Sequence, residues 1–469
     1  MNYCSSIKDR SGYRMYSTLE KHVGRRLIRP NDVRYDEVRK VWNAVIDRKP
    51  AAIVVCESED DVIAAVQFAK ENELSISIRG GGHHLAGLAV CDGGVMIDLS
   101  HMRKVTVDEK RQVAVVEGGA TLGDIDLETQ KYGLAVPTGT VSETGVAGLA
   151  LNGGIGYLRG KYGLTCDNLV SARVVTADGV VLEVNEKNHQ DLFWAIRGGG
   201  GNFGVVTRFE FALHAVGPEV LALDVMYDFK DAKDILNKVQ QFLVQAPDEA
   251  VSLNLTATVL PPAPFLPEFL HHKKVIMLLG IYAGDAKEGQ TVIQPLRELA
   301  EPIIDQTGVV PFVEFQKKLD PMVPKTVPVY GTSLFFDELD DTVIEQLLYK
   351  IDNAPAPTIL VQLWALGGQM NRVPVHATPF AIRNAKFVLL VDVIAMAGDD
   401  AVCKQWIDSV YGGMRPFSYK NASYLNGIGV SDDVTTNAFQ ENYERLVAVK
   451  KTYDPSNRFR HNHNINPQG

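Results

Sequence analysis

A two-domain protein of the α+β class is what this sequence predicts, and three observations predict it. At 469 residues the chain is too long for one ordinary hydrophobic core. Roughly its first 215 residues alternate short strands with helices and concentrate glycine at the turns. Beyond Val216-Gly217-Pro218 the strands lengthen and helical stretches separate them, the pattern of a sheet covered by helices.

The elements follow in order. "YDEVRKVWNAVID" (35–47) has apolar residues at helical spacing, and "AAIVVC" (51–56) is a short buried strand. "SEDDVIAAVQFAKEN" (58–72) opens on a serine cap and an acidic first turn and then repeats its apolar face with period 3.6. Ser75-Ile76-Ser77-Ile78 is a strand that runs into Arg79, three glycines and two histidines. "GVMIDLS" (94–100), "KVTVDEKRQVAVVEGG" (104–119) and "ARVVTADGVVLEV" (172–184) alternate as strands, with "ADG" marking a hairpin. "TLGDIDLETQKYG" (121–133) is a helix ended by Gly133. In the second half the strands are "VLALDVMYDF", "SLNLTATVLP", "KVIMLLGIYAG", "TILVQLWALGG" and "KFVLLVDVIAM", with helices "KDILNKVQQFLVQ" and "IEQLLYKID" among them. The chain closes with a helix stopped at Asp454-Pro455 and an extended polar tail.

Hydrophobic residues make up 46% and charged residues 22% of the chain, the balance of a soluble globular protein. A net charge of −10 and the lack of any Lys/Arg block argue against nucleic acid as a partner. Cys4, Cys56, Cys91, Cys166 and Cys403 are odd in number and scattered, which suits free thiols in a reducing compartment. The polar N-terminus has no signal-peptide pattern, and the longest apolar run, near Val388–Val391, is broken by Asp392. The expectation is a cytoplasmic monomer or homodimer with no membrane partner.

Three glycine clusters stand out: Gly80-Gly81-Gly82, Gly153-Gly154-Ile155-Gly156, and Gly198 to Gly204. The last contains a formal GxGxxG, yet "DLFWAIR" before it is helical and "VVTRFEFAL" after it is a strand. A dinucleotide fingerprint needs the opposite order, so a nicotinamide-binding βαβ unit is rejected. No cluster ends in the Gly-Lys-Ser/Thr of a phosphate loop. Any one cluster reads most simply as a tight turn. Three within about 125 residues, one of them carrying histidines, favour an extended ligand whose phosphates meet backbone N–H groups.

Arg79-Gly80-Gly81-Gly82-His83, with Gly87 four residues on, resembles the flavin-attachment motif of the vanillyl-alcohol-oxidase-type, berberine-bridge-enzyme-like FAD-linked oxidases. "PTGTVSETGVAGLALNGGIGYLRGKYGLTCDN" (137–168), "DLFWAIRGGGGNFGVVTRFEF" (191–211) and "YDPSNRFRHNHNINP" (453–467) resemble further signatures of that family, in particular of its bacterial-type members in secondary metabolism. The resemblance implies a PCMH-type FAD-binding domain over 1–212 (core about 46–215). A substrate domain of antiparallel sheet and helices would span 213–420, and a segment over 421–469 would return to the first domain.

It also implies roles. His83 would carry the flavin through its only covalent bond, since the position of the family's second, cysteinyl link is Val141 here, and Cys166 lies elsewhere as a packed thiol. Arg79, Gly80, Gly81, Gly82, His84, Gly87, Thr144, Gly145, Gly148, Gly153, Gly154, Gly156, Tyr157, Gly204, Val206, Asn462 and Asn464 would cradle the cofactor, with Tyr157 facing the flavin. Thr144, being small, would leave room for O2. "SYLNGIGV" (423–430) matches the family's Tyr-x-Asn segment, which makes Tyr424 the expected base, through a lowered pKa, with Asn426 beside it. Strand alternation puts Gln362 and Trp364 on one face, toward substrate. The tail reads Asn462-His463-Asn464 where the family usually has Asn-Gln-Asn; His463 gains no role from that, and His461-x-His463 makes a poor metal site without an acidic cluster. The implied activity is oxidation of a small organic molecule (alcohol, sugar, phenol, amine or polyketide) with O2 as acceptor and H2O2 as product. An oxygenase or oxidative cyclase, and a flavin carrier without turnover, are the alternatives.

Overall fold

A computed structural model describes residues 15–262, 266–355, 358–429 and 432–469. Cys4 and Val430 lie outside them. Among the described residues three larger sheets organise the chain, and a two-stranded pair, Leu134–Ala135 with His214–Ala215, accompanies them. The first has four strands in the order Leu27–Ile28, Ala52–Val55, Val95–Asp98, Ile76–Arg79, with Val95–Asp98 parallel to both neighbours. Parallel strands need a crossover, and the helix Glu59–Glu71 supplies it. Ser58 caps that helix: its hydroxyl accepts from Asp61 N while the Asp61 carboxylate accepts from Ser58 N. Buried Val62, Ala65, Val66 and Ala69 face the sheet.

The second sheet is antiparallel, in the order Val105–Asp108, Val113–Glu117, Val205–Ala212, Leu169–Val175, Val181–Asn185. Here the helix Gln190–Ala195 precedes the glycine run and the strand Val205–Ala212 follows it, the order that excludes a dinucleotide fingerprint.

The third sheet has eight strands, all pairs antiparallel. Along its main path it runs Pro302–Asp305, Glu219–Asp228, Lys274–Tyr282, Leu253–Val259, Ile359–Ala365, Phe387–Ile394, Val329–Phe336, and Gly308–Pro311 also pairs with Glu219–Asp228. Helices Ala232–Leu243, Asp341–Asp352 and Asp400–Met414 bury their apolar faces in the large core on one side of it. Period-2 alternation divides the two central strands. Val361, Leu363, Ala365, Leu389, Val391 and Val393 enter that core, while Gln362, Trp364, Leu390 and Asp392 point the other way, into a cavity.

One local expectation is corrected, and three elements were not anticipated. The helix expected over 35–47 is a single turn, Tyr35–Val38. After it the chain leaves helical geometry, because long-range partners hold it. Trp42 N donates to Gly82 O (3.0 Å), and Asn43 Nδ2 donates to Leu85 O (2.8 Å) and Val329 O (2.9 Å). The apolar periodicity there reflects contacts to the glycine turn, not a helix face. The edge strand Val329–Phe336 went unanticipated, as did the helices Ala286–Arg297 and Asp400–Met414.

The tail packs against the glycine run that precedes the strand Val205–Ala212. Lys450 and Asp454 are both fully buried; Lys450 Nζ donates to Asp454 Oδ2 (2.6 Å) and Asn202 O (2.7 Å), and Asp454 in turn accepts from Arg458 N and Phe459 N. Asn202 then binds the tail at both ends of its amide, donating to His463 O and accepting from Ile465 N. No helix among the described residues is long and apolar enough to cross a membrane.

Candidate functional site

The strand Ile76–Arg79 delivers the glycine turn to the middle of the molecule. A Cβ on Gly81 would lie 2.6 Å from Gly145 Cα, and one on Gly145 would lie 2.7 Å from Gly81 Cα. The two loops therefore touch backbone to backbone, which only glycine permits at both positions. Gly82 follows with φ +65°, a left-handed turn that suits a residue without Cβ. Around this junction lie a cavity of about 270 Å³ and a second of about 510 Å³, which share Trp42, Gly80, Gly81, Gly82 and His83 in their walls.

His83 stacks on Trp42 with ring centroids 4.7 Å apart. Its Nε2 is shut away from solvent with no hydrogen-bond partner among the described residues, and burial pushes the imidazole down to about 4, so the ring is neutral. His84 spends both nitrogens: Nδ1 accepts from Ala86 N (3.0 Å) and Nε2 donates to Leu425 O (2.8 Å).

Tyr424 and Asn426 line the first cavity. The Tyr424 oxygen accepts from Ile155 N (3.1 Å) and Asn426 Nδ2 (3.0 Å), and its backbone is pinned on both sides by the Ser333 hydroxyl. Burial pushes the phenol up to about 12, against the lowered value expected; the two donors pull it down by less. Alternate positions of the strand Ile359–Ala365 bring Gln362 and Trp364 to the same wall, and Trp364 Nε1 donates to Gln362 Oε1 (3.0 Å), leaving the Gln362 amide NH2 for a ligand. Arg159, fully buried, stands over the Trp364 ring and binds the carbonyls of Ala365, Gly156 and Leu253.

Gly80, Gly81, Gly82, His83, His84, Thr144, Gly145, Gly148, Gly204, Val206, Asn462 and Val141 also line this cavity. Other expected residues lie elsewhere. The Arg79 guanidinium is bound to Asp98 and the carbonyls of Val38 and Lys40, so it clamps the turn. Gly87 packs on Ile46. Gly153, Gly154 and Gly156 back onto Phe380, Thr165 and the Thr138 carbonyl. Tyr157 packs its ring against Phe315 (5.0 Å) in a separate apolar cluster, and its hydroxyl is buried without a partner. Among the described residues the side-chain oxygens of Asn462 and Asn464 are buried and unpartnered. Cys166 is a buried thiol beside the Asp167–Arg383 pair. Among the described residues no cluster of His, Cys, Asp or Glu could hold a metal ion.

Sequence reasoning missed Asp392. Its carboxyl lines the cavity, burial raises it to about 7, and among the described residues it has no hydrogen bond. The carboxyl occupies space that a side chain on Gly331, across the strand pair, would fill. The signal was a single acid inside an otherwise apolar strand.

Comparison with known proteins gives two family matches: an FAD binding domain over residues 50–185 and the berberine and berberine like family over 417–466. An FAD-linked oxidoreductase of Dictyostelium discoideum is 31% identical over 434 residues, 92% of each chain. The (R)-6-hydroxynicotine oxidase of Paenarthrobacter nicotinovorans is 31% identical over 474 residues, 94% of this chain and 97% of that one. Among solved structures, 6-hydroxy-D-nicotine oxidase from Arthrobacter nicotinovorans superposes with a TM-score of 0.82 at 28% identity, covering 94% of this chain and 97% of that chain. A glucooligosaccharide oxidase from Acremonium strictum, described with a 6-S-cysteinyl, 8α-N1-histidyl FAD, gives 0.83 at 26% identity, with coverage of 94% and 97%.

Proposed function

We propose that this chain, which belongs to the berberine-bridge-like family of FAD-linked oxidoreductases, is an oxidase of a small organic molecule, with FAD attached through His83 alone. One observation carries the reading: a neutral histidine with an unpartnered ring nitrogen and a tyrosine whose oxygen already faces two N–H donors line one cavity. The residues present suit the cofactor. The Gly81–Gly145 junction offers bare backbone N–H groups to phosphates, and the unpartnered oxygens of Asn462 and Asn464 are acceptors for the polar edge of a ring. The second link of the Acremonium enzyme has no counterpart, because Val141 stands where the resemblance puts its cysteine.

Bound FAD supplies acceptance of a hydride at N5 and reoxidation by O2 to give H2O2. The chain does the rest. His83 would hold the cofactor, with Trp42 stacked behind its ring. Trp364, Leu390 and Val323 give the substrate an apolar wall that excludes water, and the free Gln362 NH2 orients it. Tyr424 Oη takes the proton from a substrate O–H or N–H, while Ile155 N–H and Asn426 Nδ2–H stabilise the oxygen in its ionised form. The substrate class is thus a compact, partly apolar alcohol, phenol or amine.

A panel of alcohols, phenols, amines and aldoses tests this, with H2O2 read under air and bleaching of flavin absorbance read anaerobically. At least one compound should bleach the flavin and yield one H2O2 per product. Bleaching with oxygen incorporated into product and no peroxide would replace oxidase by oxygenase; no bleaching by any compound would revive a flavin carrier.

A further inference from the structure

His84 and His463 are 379 residues apart in sequence and meet at one atom. Both Nε2 atoms lie 2.8 Å from the backbone oxygen of Leu425, the residue between Tyr424 and Asn426. The rings sit edge to face with centroids 5.4 Å apart. A carbonyl oxygen only accepts, and it has two lone pairs, so each imidazole donates one Nε2–H to it. The His84 tautomer is fixed independently, because its Nδ1 accepts from Ala86 N. His463 is buried, its Nδ1 has no partner among the described residues, and burial beside His84 drives it down to about 3, which keeps it neutral.

The segment they hold has little holding power of its own. Leu425–Gly427 is one 3-10 turn, and its backbone hydrogen bond within the loop is Gly427 N to Tyr424 O. Ser333 grips Tyr424 from the sheet side. On the far side Asn426 Nδ2 reaches Leu149 O and Ile155 N reaches the Tyr424 oxygen, while the Leu425 backbone is gripped by the two histidines: one directly follows His83, and the other sits between Asn462 and Asn464. We propose that His84 and His463 are positioning residues, a paired imidazole clamp on the Leu425 carbonyl that fixes Tyr424 and Asn426 relative to the His83 turn. The clamp is read from these contacts; only its catalytic meaning rests on Tyr424 being the base.

The test uses the full-length flavoprotein, with imidazole nitrogens labelled with ¹⁵N and tyrosine Cζ with ¹³C, Tyr424 being assigned by its absence in Tyr424→Phe. Both histidines should show the Nε2–H tautomer, with protons protected from exchange. His463→Leu and His84→Leu should each shift or broaden the Tyr424 Cζ resonance, and His463→Gln, which restores an N–H donor, should bring it back. A merely structural histidine would lower the melting temperature and leave that resonance in place. An Nδ1–H tautomer at either histidine overturns the proposal, even if a leucine variant fails to fold. So does an unmoved Tyr424 resonance in folded His463→Leu and His84→Leu. Activity of Tyr424→Phe is measured separately, so the clamp and the base can fail independently.

Discussion

Tyr424→Phe removes one oxygen and keeps the ring that packs edge-on against Phe335. Asn426 Nδ2 retains a second acceptor, Leu149 O at 3.2 Å, but Ile155 N–H loses its partner in a buried site. One orphaned donor costs about 1–3 kcal/mol of stability, a drop of a few degrees in Tm. The effect on rate should be far larger. Loss of a positioned base costs about 10²–10⁴-fold, or roughly 3–5 kcal/mol of barrier. With the phenol pushed up to about 12, only about one part in 10⁵ is ionised at pH 7. Reduction by substrate should therefore climb with pH through the neutral and alkaline range, and the climb should flatten in Tyr424→Phe. Anaerobic stopped-flow reduction of the flavin from pH 6 to 10, using a compound that bleaches the wild type, measures both. Asp392 is the competing acceptor, raised to about 7 in the same cavity. A wild-type rate that levels off above pH 7, collapses in Asp392→Asn and stays within threefold of wild type in Tyr424→Phe would refute the reasoning.

Three more perturbations test the frame around the site. Asp126 is buried, raised to about 7 by burial, and its Oδ1 and the neighbouring Gln316 Oε1 are both without partners. A raised carboxyl pKa means the folded state holds its proton longer, so its contribution is present below about 4 and fades as pH rises towards 7. Asp126→Asn should accordingly raise Tm at pH 8, by on the order of 1–4 kcal/mol of stability, and do little at pH 4; equal effects at both pH values would contradict this. Lys450→Met strands a buried carboxylate and should cost about 3–5 kcal/mol and expose residues 455–469 to protease, whereas unchanged melting and proteolysis would show that the tail is held otherwise. Gly81→Ala should abolish flavin retention or folding because of the Gly145 contact, while Gly412→Ala, in open space on a helix, should be neutral or stabilising by up to about 1 kcal/mol; flavin-loaded Gly81→Ala at wild-type yield is the contrary result.

The parts legible in the sequence were those that local chemistry dictates. Alternation along Ile359–Ala365 put Gln362 and Trp364 on one face, and the Ser58 cap marked a helix start. The inverted order around Gly199–Gly204, a helix before and a strand after, was also readable from local pattern. What stayed hidden depends on partners far along the chain. Trp42 and Asn43 leave the helical pattern because Gly82, Leu85 and Val329 hold them. Tyr157 follows a glycine cluster, yet packs on Phe315 from the other half of the protein. His463 had no readable role because its partner atom, the Leu425 carbonyl, belongs to the backbone. The Tyr424 pKa was misjudged in direction because burial is a property of the fold and not of the Tyr-x-Asn spacing.

The central claim is that His83 alone bonds the flavin. Acid-denatured, washed protein should keep a yellow pellet with flavin absorbance, and His83→Ala, folded and supplied with FAD, should release all of its flavin to the supernatant. Colourless wild-type pellet with free flavin in solution, or a pellet still yellow in His83→Ala, would contradict the account.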